Sequence, residues 1–296
     1  MHEDAFFDHH PALNMAFFLA VMLITAFVLH PVITGISLVS AAVYTVVLRG
    51  RKAVLFMLAA ALPLILLVAV LNPLFNHEGV TVLFYLWNGN AVTLEAVLYG
   101  LVSACMFAAL LLWFYCMNAV MTSDKLICLF GGVIPTLSLV FSMVLRFVPR
   151  LFSRIKEVSA AQKSVVPECR RGPVSGIRHG IRVLSATVSW ALESSVVMSD
   201  SMRSRGYGSA GRTSYSLYRF TRRDVAAFII LFVCFGVSVA AMASKAISFR
   251  FYPSIKYSGA GPLAWLGFAA FSALCLLPVL IDVKENIRWH VLSSKI

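Results

Sequence analysis

Nearly uncharged apolar runs, each about as long as the ~17–25 residues a helix needs to cross a bilayer, recur along this chain and restrict what it can fold into. They are Leu13 to Leu29, Val32 to Leu48, Val54 to Leu71, Ala96 to Val120, Val225 to Ala246 and Ala260 to Leu280. Inside hydrocarbon every backbone polar group must bond within its own segment, so such runs become helices. The rest of the composition agrees. The chain is 60% hydrophobic and 13% charged, about half the charge of a soluble domain, too little to cover a water-facing surface.

The breaks between the runs give topology. His30-Pro31 interrupts the first two, because Pro cannot continue a helical hydrogen-bond ladder. Arg49, Arg51 and Lys52 then mark a cytoplasmic loop. Asn72-Pro73 closes the third run, and Asn72 to Glu95 has no Lys or Arg, which reads as external. Glu95 reads as an acid at the start of the fourth helix, opposite the positive end of its dipole.

A seventh apolar run, Leu126 to Phe147, crosses only at the expense of the positive-inside bias. It carries Gly131, Gly132 and Pro135, and the expectation is an interfacial or re-entrant segment; the alternative is a different count of the earlier spans. The expected organisation is four spans in 1–125, this segment in 126–149, cytoplasmic amphipathic helices in 150–224, and two spans plus a tail in 225–296. The fold class is an all-α integral membrane protein of about six transmembrane helices with both termini cytoplasmic. No basic leader precedes the first run, so no signal peptide is expected.

Fifteen of the 25 Lys and Arg residues lie between Arg146 and Arg223, with only Glu157, Glu168, Glu193 and Asp200 among them. A net charge of +12 raises nucleic acid as a partner. The clustering beside apolar runs favours topogenic loops and lipid contact instead, and no nucleic-acid partner is expected. Within the block, Leu151, Phe152, Ile155, Val158 and Ala161 repeat at helical spacing through Val148 to Lys163. A longer stripe runs from Ile177 to Met202 on a helix expected over Val174 to Arg205. Small residues such as Ser185, Ser189 and Ser194 make that helix narrow. Gly206 sits where a left-handed helix stop belongs, which places Arg203 and Arg205 in the last turn, at the negative end of the helix dipole.

Other candidate chemistry is weak. Cys105, Cys116, Cys128, Cys169, Cys234 and Cys275 have no metal or redox spacing. His2, Asp4, Asp8, His9 and His10 resemble a metal cluster, but their spacing fits no fixed site, and a structural or incidental role is the better reading. There is no GxxxxGK[ST], GxSxG or HExxH, so neither ATP hydrolysis nor any other catalysis is expected of the chain itself. No catalytic residue, cofactor or metal is assigned. The spans carry almost no ionisable groups, which argues against a stand-alone substrate pathway.

Ser204-Arg205-Gly206, within Met202 to Gly208, is similar to the second Ala-Arg-Gly motif of the T component of energy-coupling factor (ECF) transporters, the EcfT/CbiQ family. The resemblance extends to Leu71-Asn72-Pro73-Leu74-Phe75 and to Arg146-Phe147-Val148-Pro149-Arg150. It implies a non-catalytic membrane coupler of a bacterial importer for vitamins or metal ions. Its partners would be two ABC-type ATPase subunits, which hydrolyse ATP, and a substrate-capture S component in the bilayer of the plasma membrane. It further implies that Arg205, with Arg203, Ser204 and Gly206 around it, docks on an ATPase. The family's first motif resembles Ala-Gln-x-x-Arg-Gly. The corresponding run is Ala161-Gln162-Lys163-Ser164-Val165-Val166, a degenerate version with Val165 at the arginine position, so the two docking ends are expected to be unequal. Two other functions compete. A lipid-modifying membrane enzyme requires clustered acids or histidines, and a stand-alone transporter requires inverted repeats.

Overall fold

The protein is described from a computed structural model that covers residues 6–85, 91–131, 134–165, 173–207, 218, 220–244, 246–258 and 261–293. It is an all-α integral membrane protein with two short hairpins. The helices are α1 (Pro11–Phe27), α2 (Pro31–Arg49), α3 (Arg51–Phe56), α4 (Leu62–Phe75), α5 (Leu94–Val120), α6 (Ser123–Gly131), α7 (Pro135–Val165), α8 (Pro173–Ser204), α9 (Arg222–Ala243) and α10 (Pro262–Ser293). A π-helical turn, Met57–Ala61, joins α3 to α4 into one 25-residue span, Arg51–Phe75. Strands β1 (Val82–Tyr85) and β2 (Ala91–Thr93) pair antiparallel, as do β3 (Ser248–Arg250) and β4 (Lys256–Ser258). The apolar periodicity carried no sign of these hairpins.

Among the described residues, six helices are long and apolar enough to cross a membrane, as expected, but they are not the expected six. Pro11–Phe27 is shorter, at 17 residues. Gly176–Ser204, in the stretch read as cytoplasmic, qualifies at a mean hydropathy of 1.2, against 3.0 for Arg51–Phe75. Isoleucines, valines and leucines between sparse charges lift α8 to that value, against the lowering effect of its serines. Proline also behaves differently from expectation. Pro73 lies inside α4 instead of ending it, and Pro149 lies inside α7; the amphipathic helix expected from Val148 begins at Pro135 and runs unbroken to Val165. A proline in a helix removes one backbone donor, a loss that neighbouring packing and polar side chains offset in membrane helices.

The chain divides into two compact units, Met1–Lys125 with Tyr218–Ile296, and Leu126–Leu217. In the first, α5 packs against α1, α2 and α4, while α10 packs against α2 and α9. Its aromatic centre is Phe6, Phe17, Phe18, Tyr44 and Trp113, all fully buried. A polar chain threads this core. Trp113 Nε1 donates to Ser37 Oγ at 3.0 Å, Ser37 Oγ and Thr25 Oγ1 are 2.8 Å apart, and Thr25 Oγ1 donates to the Val21 carbonyl at 2.8 Å. Each buried hydroxyl is thereby satisfied, and α1, α2 and α5 are held in one register.

The two His-Pro steps are one device used twice. His10 Nδ1 accepts from Ala12 N–H, and His30 Nδ1 from Val32 N–H, each at 3.2 Å. The imidazole caps the helix while Pro occupies the first turn, where its missing donor costs nothing. His9 Nδ1 meets Asp224 Oδ1 at 2.5 Å, and Asp224 closes a capping box with Thr221 at the start of α9. His9 and His10 thus hold structural places; His2 and Asp4 lie outside the described residues. Lys125, fully buried, donates to the Phe7 carbonyl and lies 3.6 Å from the Phe7 ring. Glu95 does stand in the first turn of α5, as expected, and accepts from Thr81 N–H at 3.3 Å.

The second unit is an antiparallel hairpin of α7 and α8, preceded by α6. Ser138 Oγ donates to the Ile127 carbonyl at 2.9 Å, fixing the step between α6 and α7. Along the hairpin, Ser159 Oγ lies 3.2 Å from His179 Nε2, and Phe147 stacks on Trp190 with centroids 5.8 Å apart. The residues joining α7 to α8, including most of the expected Pro167 to Pro173 break, lie outside the described set.

Candidate functional site

The end of α8 is built as the sequence required. Gly206 has φ +80°, a left-handed conformation that only glycine adopts without steric cost. Tyr207 N–H donates to the Met202 carbonyl at 3.0 Å, and Gly206 N–H to the Arg203 carbonyl at 3.0 Å. This pair of bonds is a Schellman cap. Arg205 is the cap residue, with its own N–H on the Ser201 carbonyl at 3.3 Å. Ser204 Oγ also donates to the Ser201 carbonyl, at 2.9 Å. Arg203, Ser204, Arg205 and Gly206 are all exposed. Three of the final backbone carbonyls therefore find partners inside the turn, and the guanidinium of Arg205 projects from a locked backbone.

Below this cap, α7 and α8 enclose a groove of about 750 Å³. From α7 it takes Met143, Arg146, Phe147 and Arg150, spaced i, i+3, i+4 and i+7, so all four share one face. From α8 it takes Trp190, Glu193, Val197, Met198, Met202 and Arg205 among its lining residues. Three guanidiniums, one carboxylate and the hydroxyls of Ser194 and Ser201 thus share the groove with its apolar side chains. No carboxylate among the described residues lies within ion-pair distance of Arg146, Arg150 or Arg205. Trp190 also receives the Arg154 guanidinium 5.6 Å from its ring centre, and Arg154 pairs with Glu157 at 3.0 Å.

The degenerate motif occupies the other end of the hairpin. Ala161, Gln162, Lys163, Ser164 and Val165 form the last turns of α7. Ser164 Oγ donates to the Ala161 carbonyl at 2.8 Å, and Val165 is 80% exposed. Val166 lies outside the described residues. Because the helices are antiparallel, Val165 and Arg205 stand at opposite ends of the pair. Some thirty residues at ~1.5 Å each separate them by roughly 45 Å.

Sequence reasoning singled out Arg205 and its turn but gave no role to Trp190, Phe147 and Glu193, which build the groove. The signal for α7 was present, since Met143, Arg146, Phe147 and Arg150 mark one helical face. It was hidden by dividing it between a segment expected to end at 149 and a helix expected from Val148.

The fold and this hairpin define a multi-pass all-α membrane protein with an amphipathic helical pair. No protein-family model matches the chain. It is similar to the energy-coupling factor transporter transmembrane protein EcfT of Lactobacillus helveticus (strain DPC 4571), 34% identical over 108 residues. That match covers 35% of this chain and 39% of the relative's length.

Proposed function

We propose that the chain is the transmembrane coupling subunit of an ECF-type importer in a bacterial plasma membrane. In this reading it is non-catalytic. Two ABC-type ATPase subunits bind the ends of the α7–α8 hairpin, and ATP-driven movement of those ends is passed to a substrate-capture S component, bringing in a vitamin or a metal ion. The 126–217 unit is the cytoplasmic coupling region, and both termini are cytoplasmic.

The observation that carries the reading is Arg205 on its Schellman-capped helix end. Topology needs positive charge somewhere in the loop; it does not need an exposed guanidinium on a fixed backbone at a helix tip. Arg suits docking because its planar fork bonds carboxylates bidentately. The similarity to an EcfT protein supports the same assignment. The roughly 45 Å between the hairpin's ends suits a piece gripped at both. With Val165 where the other end would carry arginine, the grip on that ATPase is the weaker.

Co-expression with cognate ABC-type ATPases tests this. Arg205→Glu is expected to abolish co-purification of one ATPase and uptake with it. Assembly and uptake equal to wild type would sink the docking role.

A further inference from the structure

We propose that the α7–α8 groove binds an anionic phospholipid, its phosphate held by Arg146 and Arg150 and an acyl chain laid along Met143, Phe147 and Val197. The charge pattern of α7 is the first support. Residues 126–145 carry no Asp, Glu, Lys, Arg or His, and Arg146 is the first charge after Lys125. The helix is continuous across that transition, so one face changes from apolar to cationic within a single turn, between Met143 and Arg146. That is the profile of a helix lying at the headgroup level, where long cationic side chains lay their aliphatic stems on apolar surface and turn their charge outward.

The groove adds the second support. Its volume, about 750 Å³, falls in the ~300–1,000 Å³ range of small-molecule sites. Met143, Phe147, Trp190, Val197, Met198 and Met202 give it a large apolar surface, and its cations outnumber its carboxylate, Glu193, three to one. A free phosphate would leave the apolar floor wet; an acyl chain covers it. One turn ahead of Met143, Val140 is 48% exposed, so apolar surface continues along α7 beyond the groove. Trp190 stands half-buried at the groove wall, where its amphipathic ring suits a membrane interface. The proposal rests on Arg146 and Arg150, to which the coupling reading gives no role. Arg205 lines the same groove, and Arg205→Glu tests docking separately.

The test is lipid retention by the full chain, reconstituted in nanodiscs of mixed phosphatidylglycerol and phosphatidylcholine, re-extracted in mild detergent and analysed by native mass spectrometry. Wild type is expected to retain phosphatidylglycerol preferentially. The double variant R146Q/R150Q is expected to lower that retention about thirtyfold, the scale set by removing two cations near an anionic headgroup. R146K/R150K is expected to keep most of it. Met143→Trp, which fills the floor and leaves both arginines, is expected to lower retention while the helical circular dichroism stays unchanged; it carries the test if the double variant misfolds. Equal retention in wild type and the variants overturns the proposal, as does equal retention of phosphatidylcholine. Displacement of the lipid by millimolar inorganic phosphate, or by an acidic peptide, overturns it in favour of a soluble anion or a protein partner.

Discussion

Phe147 and Trp190 stack face to face, their centroids 5.8 Å apart and their planes 13° from parallel, and this contact sets the register between α7 and α8. It faces the groove on one side and the Arg154 guanidinium on the other. Both rings are only partly buried, so the loss on truncation falls below that of a full core aromatic. Trp190→Ala is expected to destabilise the hairpin by ~1–3 kcal/mol, of which ~0.5–1.5 kcal/mol is the ring pairing itself. A double-mutant cycle with Phe147→Ala, read by hydrogen exchange across 139–165, checks the coupling. Additive losses would mean that the stack contributes area alone.

Gly206→Ala forces a side chain into a left-handed residue at φ +80°. The expected cost is ~1 kcal/mol, confined to the last turn of α8. Faster amide exchange at Gly206 and Tyr207, with the middle of α8 unchanged, is the readout. If the guanidinium works because its backbone is fixed, the same variant weakens ATPase co-purification although Arg205 is still present.

The unequal ends of the hairpin make an opposite-sign prediction. Arg205→Glu is expected to cost ~2–5 kcal/mol in ATPase binding, the usual loss for one partner of a buried charge pair. Val165→Arg, at a residue 80% exposed, is expected to strengthen binding of the second ATPase. Titration of the purified chain with each ATPase measures both. Weaker binding by the Val165→Arg variant would remove the coupling role from the end of α7.

Gly100 is where α4 and α5 approach most tightly. A Cβ there would lie 3.0 Å from Asn72 Cβ and 3.4 Å from Pro73 Cδ, and Asn72 Nδ2 reaches Ser103 Oγ at 3.5 Å. Gly100→Leu overfills this contact at an expected ~1–3 kcal/mol. A lower melting temperature in detergent is the check, with Val97→Leu, at an exposed position on the same helix, as the control that leaves it unchanged.

The two His-Pro caps predict a pH dependence. Burial holds the His10 and His30 imidazoles below the ordinary histidine range, partly countered at His10 by the nearby Asp224 carboxylate. Each also accepts a backbone N–H at Nδ1, which protonation at that atom abolishes. A folded-state pKa below the unfolded value means that the unfolded chain binds protons first. The stabilisation is therefore complete above pH ~6.5, the unfolded histidine value, and is lost as the pH falls below it. Melting curves from pH 8 to 5 are expected to fall, and to flatten in the variant H10N/H30N, because Asn caps a helix well without titrating in this range.

Much of the site was legible because its parts are local. Gly206 as a helix stop needs only that no other residue fits the left-handed cap, and the two hydrogen bonds around it follow. The His-Pro turns show why partial reading fails. Pro31 announced the break, but the imidazole as the cap is a matter of side-chain direction. Pro73 misled in the other sense, since whether a proline ends a helix or is absorbed depends on what packs around it. That packing is not in the local pattern.

The amino-acid sequence alone determined that this is a helical membrane protein, roughly where five of the six span-length helices lie, and that a basic helical block ends at Arg205. Hydrophobic length and helix-stop chemistry act over one segment at a time. Tertiary structure decided which six helices are long and apolar enough to span, that α7 continues through Pro149, that Val165 and Arg205 stand at opposite ends of one hairpin, and that Arg146, Arg150 and Trp190 share a groove. Those are facts of register between segments more than 40 residues apart, set by contacts such as Phe147 on Trp190, and no periodicity within either helix contains them.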